Sequence, residues 1–168
     1  MQIARDSPAR DDVRRLLDEH LTDMFATSPP ESVHALDHSA LLAATVTFWT
    51  ARDGDTLLGC GALSELDPQR RTGEIKSMRT TAPARGRGVA SALLTTILTE
   101  AGRREYTRVS LETGTQDFFA PARRLYARHG FVPCGPFGSY TPDPHSTFMT
   151  LELAGPTPPD TADAHASA

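Results

Sequence analysis

Cysteine is scarce in this chain: Cys60 and Cys134 are the only two among 168 residues. A single pair without a secretory leader predicts free thiols in a reducing compartment rather than a disulfide framework. No apolar run approaches the roughly 20 residues of a spanning helix. The start, Met1-Gln2-Ile3-Ala4-Arg5-Asp6, lacks a signal peptide's apolar core. A cytoplasmic protein with no membrane partner is expected. Positive charge is short as well. Lys and Arg number 17 against 21 Asp and Glu, a formal charge of −4, which excludes a global field that would draw nucleic acid. Metal ligands are sparse. His34 and His38 are four apart, but Ala35 stands where a His-Glu-x-x-His site needs glutamate, and no third ligand is evident. No metal is expected.

Hydrophobic residues make up 39% of the chain, enough for one domain with a real core. The pattern predicts a strand over Gln2 to Arg5 and a helix from about Pro8 to Phe25, with Ser7 as N-cap. Ser28-Pro29-Pro30 breaks it, and a second helix is expected over about Glu31 to Leu42. Thr45 to Thr50 and Thr56 to Leu63 read as a hairpin around Asp53-Gly54. Strands follow over Gly73 to Thr80, Arg108 to Thr113, Phe131-Val132 and Thr147 to Leu153. Helices open at Val89 and Ala120, with Gly102 and Gly130 as stops. The order βααβββαβαββ implies a mixed sheet with helices on both faces, an α/β (α+β) sandwich, covering residues 1–154. The Pro-, Ala- and Asp-rich tail from Gly155 reads as disordered.

The densest signal is Arg85-Gly86-Arg87-Gly88-Val89-Ala90, between a strand and a helix. Two glycines let backbone N–H groups approach an anion, and the helix start adds free donors and partial positive charge. Such a turn suits a pyrophosphate. No Lys follows Gly88, so a P-loop is disfavoured, and neither the glycine spacing nor the early chain position fits a dinucleotide fingerprint.

These residues resemble the R/Q-x-x-G-x-G/A signature of the GNAT superfamily of acetyltransferases. Ala122 to Phe131, Ala-Arg-Arg-Leu-Tyr-Ala-Arg-His-Gly-Phe, is similar to that family's A-x-x-L-Y-x-x-x-G-F segment, in the expected order. The resemblance covers about Glu74 to Leu153. It implies a mostly antiparallel sheet of about seven strands and acetyl-CoA as co-substrate. It places the backbone of Met78, Arg79 and Thr80 along the pantetheine arm, with that of Gly86 to Ser91 (Gly86, Arg87, Gly88, Val89, Ala90, Ser91) around the pyrophosphate and Arg85 beside it. It makes Tyr126 the acid that protonates the leaving thiolate. There are two departures. The usual proline before the signature is shifted to Pro83, and Phe119 replaces an asparagine common in the family. The C-terminal half also resembles a bacterial subgroup sometimes linked to indole-3-acetic acid metabolism.

Amine acetylation needs a neutral nucleophile, a polarised carbonyl and a protonated leaving group. The Met78 N–H is a candidate for the carbonyl. Glu74 and Glu112 are both candidates for the base, because alternation does not settle their faces; a water relay is a third option. The family's acceptor wall implies Glu31 for a cationic amine and His34 for a carboxylate, although Glu31 also suits a helix first turn. Cys134 is not taken as a nucleophile, since direct transfer needs none. The expected activity is N-acetylation of a small amine. Protein or peptide N-acetylation and a non-catalytic acyl-CoA sensor are the alternatives. A homodimer is among the assemblies that the family allows.

Overall fold

A computed structural model describes residues 1–155. The expected tail falls outside them, except for Gly155. Seven strands form one mixed sheet in the order β1-β2-β3-β4-β5-β7-β6. They are β1 (Gln2–Arg5), β2 (Val46–Asp53), β3 (Thr56–Asp67), β4 (Thr72–Thr80), β5 (Arg108–Gly114), β6 (Val132–Cys134) and β7 (Ser146–Glu152). The helices are α1 (Asp11–Thr27), α2 (His38–Leu41), α3 (Val89–Arg103) and α4 (Ala120–Arg128). The anticipated element order is therefore present, and the sheet is antiparallel at every junction but one.

Alternation along the central strands divides the core between two faces. Cys60 and Ala62 of β3 pack under Val13, Leu16 and Leu17 of α1 and Leu41 of α2. Leu63 of β3, Ile75 of β4 and Leu111 of β5 turn the other way, toward α3 and α4. α3 buries Val89, Leu93, Leu94, Ile97 and Ala101, the stripe expected of a helix on a sheet.

Two helical expectations are corrected. α1 begins at Asp11 rather than Pro8, with Arg10 at the N-cap and no side-chain cap. Ser7 spends its hydroxyl on the N–H of Ala9 at 3.1 Å and so closes a turn before the helix. The second helix is far shorter than Glu31 to Leu42. Only a 3₁₀ turn at Pro30–Ser32 and the four residues of α2 are helical. Lys76 Nζ donates to the His34 carbonyl at 3.0 Å, an acceptor that a continuous helix would need for the N–H four residues on. Asp37 then restarts the helix by accepting from the Ala40 N–H at 2.7 Å.

The single parallel junction positions the site. β4 and β5 share only the pairs Thr72↔Arg108, Gly73↔Val109 and Glu74↔Ser110. Beyond them β4 stays with β3 as far as Thr80↔Gly59, while β5 stays with β7 as far as Gly114↔Ser146. The two strands splay. A register shift between Cys60 and Ala62 of β3 sets a bulge into β4, where Ser77 takes φ +54°. An extra residue of this kind re-aims the side chains after it.

Gly59 marks where α3 closes on the sheet. A Cβ there would lie 2.8 Å from the Arg79 carbonyl oxygen and 3.0 Å from Val89 Cγ1. Overpacking of this kind typically costs 1–3 kcal/mol. Gly59→Ala is expected to lower unfolding stability by about 2 kcal/mol, read as a lower urea midpoint at unchanged slope.

Candidate active site

On the α3 and α4 face the splay opens into a cavity of about 540 Å³. Met78, Arg79 and Thr80 line one wall, Arg85, Gly86, Gly88, Val89, Ala90 and Ser91 the next, and Leu125, Tyr126 and Arg128 of α4 the third. Most of the expected cofactor residues are thus brought together. Arg87 is the exception: it is exposed and absent from the lining.

The turn before α3 is built for an anion. Gly86 and Gly88 have φ of +73° and +79°, yet a Cβ at either would meet nothing within 4 Å. The glycines are needed for backbone conformation rather than for room. No side chain caps α3, and its first helical bond runs from the Ala92 N–H to the Gly88 carbonyl at 3.0 Å. The N–H groups of Val89, Ala90 and Ser91 therefore remain donors without intrahelical partners, at the positive end of the helix dipole. These are the features a pyrophosphate needs, so the chain's residues fit coenzyme A. Ser91 is tied across to α4 by a 2.9 Å contact between its Oγ and His129 Nε2. Phe118 and Phe119, where the family often has asparagine, line the mouth edge-to-face with centroids 5.0 Å apart.

Tyr126 is buried, and among the described residues its hydroxyl has no hydrogen-bond partner. Burial first, and the Glu112 carboxylate second, push its pKa above that of an ordinary phenol. Its proton therefore stays on at neutral pH. His20 of α1 also lines the cavity, and burial, reinforced by Arg79, lowers its pKa to about 4. Its imidazole is neutral.

The opposite face of the splay carries the acidic candidates. Glu74 pairs with Ser110, and Glu112 lies two residues further along β5, so both carboxylates share the α1 face. Their surroundings differ. Glu74 is buried, forms a 3.2 Å ion pair with Lys76 Nζ, and accepts the Tyr140 hydroxyl at 2.5 Å. Glu112 has no ion-pair partner among the described residues. Burial raises its pKa to about 7; Glu74 and Asp143 add to the rise, while Ser146 and Lys76 oppose it.

His34 is half-buried beside this group. Its ring stands edge-on to Tyr140 at 5.1 Å, and its Nε2 is 4.0 Å from Asp143 Oδ2. It thus faces an acid of its own chain. Glu31 is exposed on the 3₁₀ turn and is not brought to the cluster. It lies in the first turn of that short helix, as its alternative reading has it. Cys60 is buried with its thiol pushed up to about 12, so it is inert. Burial raises the Cys134 thiol too.

Sequence reasoning missed Lys76, Tyr140, Asp143, His20 and Arg128. Tyr140 and Asp143 lie in the β6–β7 connection, where no periodicity points to a face. An aromatic flanked by glycine and proline, Phe137-Gly138-Ser139-Tyr140, was the available signal. No group of three or more His, Cys, Asp or Glu among the described residues is placed to hold a metal. No helix there is long and apolar enough to cross a membrane.

A splayed β4/β5 junction over an uncapped, glycine-initiated helix defines an acyl-CoA-dependent acetyltransferase fold. The chain belongs to the acetyltransferase (GNAT) family, whose model matches residues 12–131. It is 50% identical over 153 residues to the uncharacterized N-acetyltransferase YsnE of Bacillus subtilis, covering 91% of this chain and all of that one. It is 49% identical over 141 residues to the uncharacterized N-acetyltransferase YedL of Escherichia coli, covering 84% and 87%. Against an IAA acetyltransferase of Azospirillum brasilense it is 40% identical, covering 90% and 97%. Among solved structures, an acetyltransferase of Bacillus subtilis in complex with CoA superposes with a TM-score of 0.67 at 17% identity, covering 91% and 99%. The chain is an N-acetyltransferase, and enzymes of this family use acetyl-CoA.

Glu112 generates a stability prediction. Between its ordinary pKa of 4.5 and the folded value of about 7, the native state holds a proton that the unfolded chain has released. Stability therefore falls as pH rises through this window. Glu112→Gln removes that penalty. At pH 8 it is expected to be more stable than the parent by about 1–3 kcal/mol, with the gain shrinking toward pH 5, as thermal unfolding at both pH values would show.

Proposed function

We propose that this enzyme acetylates the amine of a small molecule directly, with acetyl-CoA held in the α3/α4 cavity and the amine approaching from the α1 face. The observation that carries this reading is the cavity at the strand splay, lined by Met78 to Thr80, the α3 turn and Tyr126, with Glu112 on β5 beyond the last β4–β5 pair.

The N–H groups at the α3 start would hold the pyrophosphate, with Arg85 and Arg128 beside them, and the exposed backbone edge of Met78 to Thr80 would take the pantetheine arm. Bound there, acetyl-CoA supplies the acetyl thioester. Glu112 takes the proton from the incoming ammonium, a role suited to a carboxylate that titrates near the working pH. The Met78 N–H polarises the carbonyl. Tyr126 donates toward the departing sulfur. Its raised pKa makes it a weak acid at first. Once Glu112 is protonated, the part of the rise due to its charge disappears, so the phenol becomes a better donor when the sulfur needs it.

Two basic side chains of the neighbourhood are unavailable for a rival electrostatic reading: His20 is neutral, and Arg79 is paired with Asp23. Glu112, Glu74 and Asp143 against one Lys76 leave the acceptor side negative, which favours a cationic amine over a carboxylate-rich substrate. The aromatic wall of Phe137, Tyr140 and Phe148, with centroids 5.1 to 5.9 Å apart, favours an apolar body on that amine.

Acetyl-CoA at a hundredfold its Kd adds ~2.7 kcal/mol of stability, a rise of roughly 5–10 °C for a chain of this length. Gly88→Val, which forces a β-branched residue to φ +79°, is expected to lose that rise. Tyr126→Phe should keep the rise and lower kcat by about 100-fold or more, followed as thiol release across a panel of primary amines. Thiol release by Tyr126→Phe at the parent rate would sink the assignment of Tyr126, and a parent that binds acetyl-CoA but releases no thiol with any amine would point to a sensor.

A further inference from the structure

We propose that Lys76 and Tyr140 are positioning residues that pin Glu74 as the fixed charge of the acceptor side and so leave Glu112 as the carboxylate that exchanges a proton with the amine. This rests on the function proposed above.

Lys76 is the only lysine in the chain, and it is spent entirely inside the molecule. Its ammonium has three donors, and each has a partner: the His34 carbonyl at 3.0 Å, Glu74 Oε1 at 3.2 Å and the Tyr140 hydroxyl at 2.8 Å. Tyr140 in turn donates to the same Glu74 oxygen, so lysine, tyrosine and glutamate form a closed triangle. The Lys76 and Glu74 side chains are each only 10% exposed. Burying such a pair is expensive unless both partners are fully hydrogen-bonded, and the His34 carbonyl, in the non-helical stretch between the 3₁₀ turn and α2, completes the lysine's set. Fixing a surface charge would not need this.

The triangle sorts two carboxylates on one sheet face. Glu74 is engaged by a cation and a phenol hydroxyl; Glu112, on the adjacent strand, has no ion-pair partner among the described residues and is offered only the Ser146 hydroxyl. The groups facing Glu112 are Glu74 and Lys76 of β4, Tyr140 and Asp143 of the β6–β7 connection, Ser146 of β7 and Tyr126 of α4. Burial is the main cause of the rise at Glu112; on top of it Glu74 disfavours the charge and Lys76 favours it, so the ion pair adjusts where Glu112 titrates. Two like charges side by side normally separate into one fixed and one exchanging group. Here Lys76 and Tyr140 both engage Glu74, while Glu112 is buried without an ion-pair partner among the described residues.

The opposed signs within one ion pair make the test. The acid limb of kcat/KM against pH is measured for the parent, Glu74→Gln, Lys76→Met and Tyr140→Phe. In parallel, the Glu112 carboxyl is followed by ¹³C NMR of glutamate-labelled protein without substrate. Glu74→Gln removes a neighbouring negative charge and should move the Glu112 titration down by about one pH unit. Lys76→Met removes the positive charge and should move it up by about as much. Tyr140→Phe keeps the ring and the fold, and should move it in the same sense as Lys76→Met but less. A merely structural role would lower rates at every pH without displacing the limb. Opposite displacements in the two ion-pair variants, seen in both readouts, support the proposal. A Glu112 titration that stays put in the folded variants, Tyr140→Phe included, overturns the clamp. A titration that moves while the rate limb does not follow overturns Glu112 as the base instead.

Discussion

Three residue pairs hold the two halves of the sheet together, and the chemistry depends on where they stop. Thr72↔Arg108, Gly73↔Val109 and Glu74↔Ser110 are the whole of the β4–β5 ladder. Past them each strand keeps its outer partner and gives up its inner one. A parallel ladder is slightly weaker per residue than an antiparallel one, so the sheet opens at its weakest junction. The opening leaves a strand edge with unmet backbone groups, which in most proteins would be an aggregation hazard. Here the cavity wall, Tyr126 and the α3 turn enclose it, and an extended ligand fits it as an added strand would.

The same junction explains why donor and acceptor sides can be chemically different. Side chains alternate across a sheet, so a group on one face does not normally act on the other. At the splay the sheet is absent as a barrier. The charge of Glu112, on the α1 face, then reaches Tyr126, packed in the α3/α4 core, and raises its pKa further. The bulge at Ser77 serves the same end. It restarts the alternation of β4, so that Met78 turns toward the cavity while Glu74 and Lys76 keep to the α1 side.

Much of this was legible in the residues. The seven strands follow from β-branched runs and turn pairs such as Asp53-Gly54, and the α3 turn from glycines placed before a helical stripe. Both depend on neighbours in sequence. The failures share a different cause. The helix expected over Glu31 to Leu42 is interrupted, and in the gap the His34 carbonyl accepts from a lysine 42 residues away. Ser7 looks like an N-cap and is instead the hinge of a turn. Glu74 and Glu112 are alike in sequence; Lys76 and Tyr140, brought in by β4 and the β6–β7 connection, engage one, while the other is buried without an ion-pair partner among the described residues. Sequence patterns report local preference, whereas a proton's location depends on charges contributed from several elements.

The proposed acceptor side shows where evolution within such a fold has room to change the substrate. The α3 turn contributes backbone donors, which any side chain compatible with the glycine positions leaves intact. The acceptor side is made of side chains from connections: His34 between α1 and β2, Phe137, Tyr140 and Asp143 between β6 and β7. Connections tolerate substitution better than the elements they join. Lys76 bridges these two regimes, since it sits on a core strand yet bonds both connections at once. A change of acceptor that alters either connection must therefore still satisfy the lysine, or replace it together with Glu74, because a buried charge left without its partner costs more than the pair contributes. In the proposed mechanism the ion pair thus couples substrate choice to the titration of the base, and the two should vary together among acetyltransferases built this way.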